Sequence, residues 1–287
     1  MTTTFLLMKG IPGDPFTSEQ AAPPEILEAL RDHYGLNDPL ITQYKNYLYS
    51  ICSLDFGPSF VYQGRSVNAI IQEGFPLSAA LGLQAITLAL IGGVALGTLS
   101  ALHRGKWQDT ATMSLAVLGL SLPSFVIGAL LQYLFALKLT WFPLARFEGI
   151  SSLVLPTLAL AALPLAFIAR MVRTNMLEVL RQDYIKLAYA KGLTRWQVLT
   201  RHAFKNSLTP LLGYLAQLGV NILVGSFVIE KIFSLPGLGQ WFVISVQNRD
   251  YTVITGVTVF YSALLLGGML LADLLQSALD PRVRLTS

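Results

Sequence analysis

The sequence predicts an all-α, polytopic membrane protein with about five spanning helices. Charged residues are 13% of the 287 residues against 53% hydrophobic, and mean hydropathy is +0.57. A soluble domain carries about a quarter charged residues, so too few remain here to cover a globular surface. Several apolar stretches reach the roughly 20 residues that a helix needs to cross a hydrocarbon core about 30 Å thick. Lys and Arg are also unevenly spread over the loops between these stretches, as expected for alternating sides of a membrane.

Residues 1–76 are mostly polar and read as an N-terminal segment outside the cytoplasm. Phe5-Leu6-Leu7-Met8 is apolar but too short to span. Pro23-Pro24-Glu25 opens a short helix closed by Gly35, with Ile26, Leu30 and Tyr34 on one face. A second short helix is expected from Pro39 to about Ser53. The transmembrane region is expected over 77–280. Its five segments are Leu77–Leu102, Thr112–Leu137 with Pro123 inside, Leu153–Met171 with Pro156 and Pro164, Leu208–Ile229, and Val253–Leu275. Neighbouring helices in a bilayer can satisfy the backbone groups that proline frees. The run Gly92-Gly93-Val94-Ala95-Leu96-Gly97 suits close helix packing. Residues 281–287 form a short tail.

One set of loops carries Arg104, Lys106, Arg170, Arg173, Arg181, Lys186, Lys191, Arg195, Arg201, Lys205, Arg282 and Arg284. The other carries Lys9, Arg31, Lys45, Arg65, Lys138, Arg146, Lys231 and Arg249. The excess, concentrated in the loop over 172–207, places that loop in the cytoplasm. Within it, Asp183 to Pro210 reads as helix, glycine break, helix. Gly192 supplies a left-handed turn, and Thr194 with Gln197 fits a capping box. A solvated basic loop would have the same composition; a long helical one also suits a docking partner or anionic lipid.

This loop resembles the coupling loop of ATP-binding-cassette importer permeases, whose motif is Glu-Ala-Ala, three residues, then Gly. Here Lys186-Leu187-Ala188 stands in place of Glu-Ala-Ala. Ala188-Tyr189-Ala190-Lys191-Gly192-Leu193 and Arg201-His202-Ala203 resemble the variant of the dipeptide, oligopeptide and nickel permeases. Further segments resemble the same family: Leu36-Asn37-Asp38-Pro39, Asp55-Phe56-Gly57-Pro58-Ser59-Phe60, Leu122-Pro123-Ser124-Phe125, Glu230 through Gly239, Asn248-Arg249-Asp250-Tyr251 and Asp280-Pro281-Arg282. The form Phe56-Gly57-Pro58-Ser59-Phe60 leans toward the oligopeptide branch and its B-type subunit.

The resemblance implies a multi-pass subunit of a bacterial inner membrane importer. It would form half of a pathway for oligopeptides beside a homologous second permease subunit, with dipeptides or nickel as alternative cargo. Two separate ATPase subunits would bind ATP, and an extracytoplasmic peptide-binding protein would deliver substrate. The coupling residues would be Lys186, Ala188, Ala190, Lys191, Gly192, Leu193, Arg195, Arg201 and His202, and Glu230, Pro236, Gly237, Gly239, Arg249 and Asp250 would form a gate or binding-protein contact. The family's first spanning helix, expected just before Pro12-Gly13-Asp14-Pro15, is missing here, which points to a start upstream of Met1 or to a truncated form.

No catalytic residues, metal ligands or cofactor of its own are expected. The sequence has no Gly-x-x-x-x-Gly-Lys-Ser/Thr phosphate loop. His33, His103 and His202 lack metal-ligand spacing, Cys52 is the single cysteine, and no basic-aromatic interleaving suggests nucleic acid. An ion-coupled secondary transporter is the rival reading, and such proteins carry ionisable groups inside spans. The first three expected spans lack them apart from Arg170, at the very end of the third. Asp273 sits near the end of the fifth, and Glu230 at the end of the fourth reads as solvated at the interface. Gln84, Gln132, Gln217 and Asn221 line a pathway or bond between helices.

Overall fold

The structure, a computed structural model, describes residues 2–10, 28, 31–33, 35–62 and 64–279. The expected helix opened at Pro24, the Pro12–Pro15 region, Asp280-Pro281-Arg282 and the tail lie outside the described residues. So do the side chains of Gln217, Asn221 and Asp273. The chain folds as α1 (Thr2–Gly10), α2 (Leu40–Ser53), α3 (Val67–Leu102), α4 (Trp107–Ser121) and α5 (Ser124–Leu131). Then come α6 (Ser151–Val179), α7 (Asp183–Ala190), α8 (Arg195–Val198), α9 (Phe204–Ile232), α10 (Leu238–Gln247) and α11 (Tyr251–Leu279). π-helical turns extend α5 over Gln132–Lys138 and join α8 to α9 over Leu199–Ala203. Among the described residues the only β feature is a bridge between Pro58 and Ser66. By packing, the chain divides into Met1–Ser78 with Pro236–Leu264, and Ala79–Leu235 with Leu265–Ser287. The sequence-based division at 76 and 280 follows topology, whereas packing groups 236–264 with the N-terminal segment.

Among the described residues, three helices are long and apolar enough to cross a membrane: Val67–Leu102, Ser151–Val179 and the Tyr251–Leu271 part of α11. The α4–α5 pair makes a fourth if it is one span. The 29-residue α9 covers the fourth expected segment. Two expectations need correction. The first long helix starts at Val67, ten positions before Leu77, because Val67, Ile70 and Ile71 are buried and carry the helix into the polar segment. The second span is not continuous. It bends by 108° between α4 and α5. Leu122 is extended there (ψ 128°), as expected for a residue before proline, and Pro123 cannot donate to the helix ladder. Pro156 and Pro164, by contrast, stay inside α6, where both are buried.

In the unit that includes 79–235, side-chain bonds define two ends. At one, Arg173 of α6 pairs with Asp109 of α4, and Arg195 Nη2 donates to the Leu102 carbonyl at 2.7 Å. At the other, Gln132 Nε2 donates to the carbonyls of Leu144 (2.5 Å) and Ile232 (3.3 Å), and the Arg146 amide donates to Phe233 O at 3.1 Å. The α4–α5 pair therefore traverses this unit despite its bend. Small residues bring α3 onto α6. A Cβ on Gly93 would lie 2.7 Å from Ile168 Cβ, and one on Gly97 would lie 2.5 Å from Ala169 O. Thr157 Oγ1 donates to Gln84 Oε1 across the same pair at 3.1 Å. These glycines do what the Gly-rich run suggests, letting two backbones approach closely.

In the other unit, Phe5 of α1 is buried beside Tyr44 and Tyr47 of α2, with ring centroids 5.3 and 5.5 Å away. The α2 helix matches the short helix expected from Pro39. The start of α3 packs on α10 and α11: a Cβ on Gly74 would lie 2.9 Å from Leu238 N, and one on Gly256 would lie 2.5 Å from Val67 Cγ1.

Candidate functional site

The loop from α6 to α9 is organised by a small apolar core. Met176, Ile185, Ala188, Val198, Leu199 and Ala203 are buried together with Ala101, and Leu193 packs at the edge. Ile185 and Ala188 lie three apart and so share one face of α7. That face is the glue of the loop, which makes Ala188 a packing residue. At Gly192 the backbone is left-handed (φ +82°), and the Leu193 amide returns to the Ala188 carbonyl at 3.3 Å. Glycine is the residue that takes this conformation without a Cβ penalty. The capping box forms as expected: Gln197 N donates to Thr194 Oγ1 at 3.4 Å, and Thr194 N donates to Gln197 Oε1 at 2.9 Å.

The outward side of this loop is mixed. Lys186, Ala190, Lys191, Arg195 and Arg201 are exposed, and His202 is half-buried. Lys186 Nζ donates to Asp183 Oδ1 at 2.8 Å, and the lysine beside it holds the Asp183 carboxyl below its ordinary range. Among these charges, Leu187 is 55% exposed and Trp196 72%, with Tyr184 and Tyr189 also on the surface. The loop thus spends four apolar and aromatic side chains on its outside while a separate set fills its core.

Of the residues expected as a gate, Glu230 shares the loop's compact unit, and Pro236, Gly237, Gly239, Arg249 and Asp250 belong to the other. Glu230 lies near the far end of α9, a 29-residue helix that rises about 1.5 Å per residue. Glu230 is fully buried, which corrects the expectation of a solvated interfacial carboxylate. Gly237 and Gly239 are buried at the start of α10, where Leu238 N donates to Ser78 Oγ at 2.9 Å. Pro236 is exposed, and Arg249 is exposed with φ +58°. Asp250 is fully buried just ahead of α11. It accepts from Ser59 Oγ, from the Phe60 and Val61 amides at 3.2 and 3.4 Å, from Thr252 Oγ1 at 2.9 Å, and from the Val253 amide at 3.3 Å. It caps the first turn of α11 and clasps the Ser59 turn. In this arrangement Asp250 is an anchor. Tyr62 meets Trp241 edge-on at 5.1 Å, and Arg65 stacks over the same indole at 5.5 Å.

Sequence reasoning missed Asp109. Its carboxylate is buried and accepts from Ser100 Oγ at 2.5 Å and the Gly105 amide at 2.9 Å. Arg173 adds a fork, Nε to Oδ1 at 2.6 Å and Nη2 to Oδ2 at 2.9 Å. The signal was a lone carboxylate between Arg104, Lys106 and an apolar run; starting the second span at Thr112 left it in a loop.

Long apolar helices with a basic helix–glycine–helix loop between two of them are the architecture of a multi-pass membrane subunit. The sequence profile of the family described as binding-protein-dependent transport system inner membrane component matches residues 93–285, and the chain belongs to that family. The dipeptide transport system permease protein DppB of Bacillus subtilis is 49% identical over 284 residues, covering 99% of this chain and 92% of that protein. The oligopeptide transport system permease protein OppB of Salmonella typhimurium is 41% identical over 286 residues, covering 99% and 94%. The same fold occurs in a crystal structure of an amino acid ABC transporter, with TM-score 0.60 and 17% identity over 74% of this chain and 94% of that chain. It occurs also in the inward-facing MetNI methionine ABC transporter, with TM-score 0.61 and 18% identity over 74% and 96%. The protein is therefore an integral inner membrane component of a binding-protein-dependent transport system, which removes the ion-coupled rival.

Proposed function

We propose that this chain forms one half of the translocation pathway of an ATP-driven peptide importer, working through separate subunits that bind and hydrolyse ATP. The observation that carries the reading is the division of labour in the 183–205 loop. Ile185, Ala188, Val198 and Leu199 hold it together from inside, while Leu187, Tyr184, Tyr189 and Trp196 face out among basic residues. Exposed aromatic and apolar side chains ringed by charge are what a protein-docking surface needs. In this reading the loop faces the cytoplasm, residues 1–76 face outside, and two ATPase subunits dock on the loops of this chain and of a homologous second permease. A binding protein delivers substrate on the outer face. ATP binding draws the ATPases together, and the loop passes that movement to the spans.

The peptide cargo rests on the relatives. Phe56-Gly57-Pro58-Ser59-Phe60 favours oligopeptides, and the 49% identity to a dipeptide permease favours a second reading, dipeptides. Reconstitution in proteoliposomes with the partner subunits and binding protein separates them: uptake of labelled tri- to pentapeptides, competed by dipeptides, is measured with and without ATP. ATP-dependent uptake of the longer peptides, insensitive to excess dipeptide, is expected. Strong dipeptide competition selects the second reading, and absence of peptide uptake in a complex that hydrolyses ATP overturns the peptide assignment.

A further inference from the structure

The Asp109 cluster ties three helices together beside the loop. Four donors converge on one buried carboxylate from the end of α3 (Ser100), the turn after it (Gly105) and α6 (Arg173), and the carboxylate itself belongs to the first turn of α4. A second tie reaches the same turn from the far side of the loop, where Arg195 Nη2 donates to the Leu102 carbonyl at 2.7 Å. Close packing continues upward from the cluster: a Cβ on Gly119 of α4 would lie 3.1 Å from Ala166 Cβ and 3.2 Å from Ala162 O of α6. The helix so clamped then breaks by 108° at Leu122-Pro123.

From this placement we propose that Asp109 and Arg173 are positioning residues that make α4 and the α3–α4 turn travel with the coupling loop, with the Leu122-Pro123 break as the joint at which α4 turns against α5. The proposal rests on the functional reading given above. The physical reason is that a buried carboxylate cannot part from its guanidinium partner at small cost, since separation leaves a desolvated charge unpaired. A bidentate fork also fixes direction, which a single point contact does not. A push on α7 and α8 is therefore delivered to the loop ends of α3, α4 and α6 as one block. Proline at the break leaves a missing backbone donor there, so the angle between α4 and α5 is the softest coordinate available.

The test uses the full complex in nanodiscs, with the wild type, Arg173→Lys and Ser100→Ala compared. Arg173→Lys keeps the charge and loses the fork; Ser100→Ala removes one donor and keeps the ion pair. Three quantities are read: ATPase co-purification, ATP hydrolysis stimulated by substrate-loaded binding protein, and peptide imported per ATP hydrolysed. The expected result is that both variants retain the ATPase subunits and that peptide imported per ATP falls about tenfold in Arg173→Lys and about twofold in Ser100→Ala. If Arg173→Lys does not assemble, Ser100→Ala decides. Unchanged import per ATP in every variant that assembles, whatever its thermal stability, reduces the cluster to a purely structural role and overturns the proposal. Wild-type protein that neither retains ATPase subunits nor imports peptide overturns the functional reading itself, and the proposal with it.

Discussion

Asp109 and Asp250 are both buried carboxylates at the start of a helix, and they are satisfied by different chemistry. Asp109 faces an arginine fork with two neutral donors in support. Asp250 accepts from two hydroxyls and three backbone amides, all neutral. An ion pair depends on one partner: remove it and a charge is stranded in a low-dielectric site. A carboxylate shared among five neutral donors loses them one at a time, each worth a modest net amount. The first arrangement suits parts that must move as a block; the second suits a turn that is only to be held in place.

The largest effect that would break this contrast is at Arg173. Arg173→Ala strands the buried Asp109 and is expected to cost about 3–5 kcal/mol, read as loss of the folded protein in detergent thermal melts. Asp250→Asn keeps one acceptor oxygen in place and is expected to cost about 1–3 kcal/mol. Equal losses would mean that charge pairing at Asp109 adds nothing beyond hydrogen bonding. Next comes Gly97→Ala, whose new methyl meets the Ala169 carbonyl at 2.5 Å. Forcing α3 from α6 should cost about 1–3 kcal/mol, seen in the same melts, and a neutral result would show that the two backbones separate freely.

Gly192→Val sharpens the comparison from the loop side. A Cβ there meets nothing within 4 Å, and the left-handed backbone, φ +82°, is a poor fit for a β-branched residue. About 1–2 kcal/mol is expected from that conformation, enough to distort the corner without melting the spans. Peptide uptake should drop while the thermal midpoint of the purified subunit moves by only a few degrees; wild-type uptake would show that the corner does not transmit force. The smallest effect concerns the exposed pair of Asp183 and Lys186. The folded pKa of Asp183 is depressed, so its contribution is present above the ordinary carboxylate range near pH 4 and is lost as pH falls through the folded value. Asp183→Asn should remove a slight acid-side dependence of loop stability, measured by hydrogen exchange over 183–190, and leave behaviour at neutral pH unchanged.

The long helices were legible because apolar runs of spanning length have few other uses. The capping box and the Gly192 corner were legible because both are local rules of a few residues. Pro123 was visible, but its consequence was not, since Pro156 and Pro164 look alike in sequence and remain inside one continuous helix. What separates them is the extended Leu122, a tertiary outcome. Glu230 misled because position along a span does not report burial by neighbouring chain. Asp109 and Arg173 are 64 residues apart, and nothing short of the packed helices shows that they meet. Ser59 and Asp250, 191 apart, pose the same difficulty.

The central claim is that the outward face of the α7–α8 loop is where the ATPase subunits sit. Cys52 is the single cysteine, so Cys52→Ser gives a clean background for Trp196→Cys, at a side chain 72% exposed, with Tyr62→Cys as the control in the other compact unit. Thiol-reactive photo-crosslinking in the assembled complex is predicted to join position 196 to an ATPase subunit and position 62 to none. Crosslinking of position 62 to the ATPase, with none from position 196, would contradict the account.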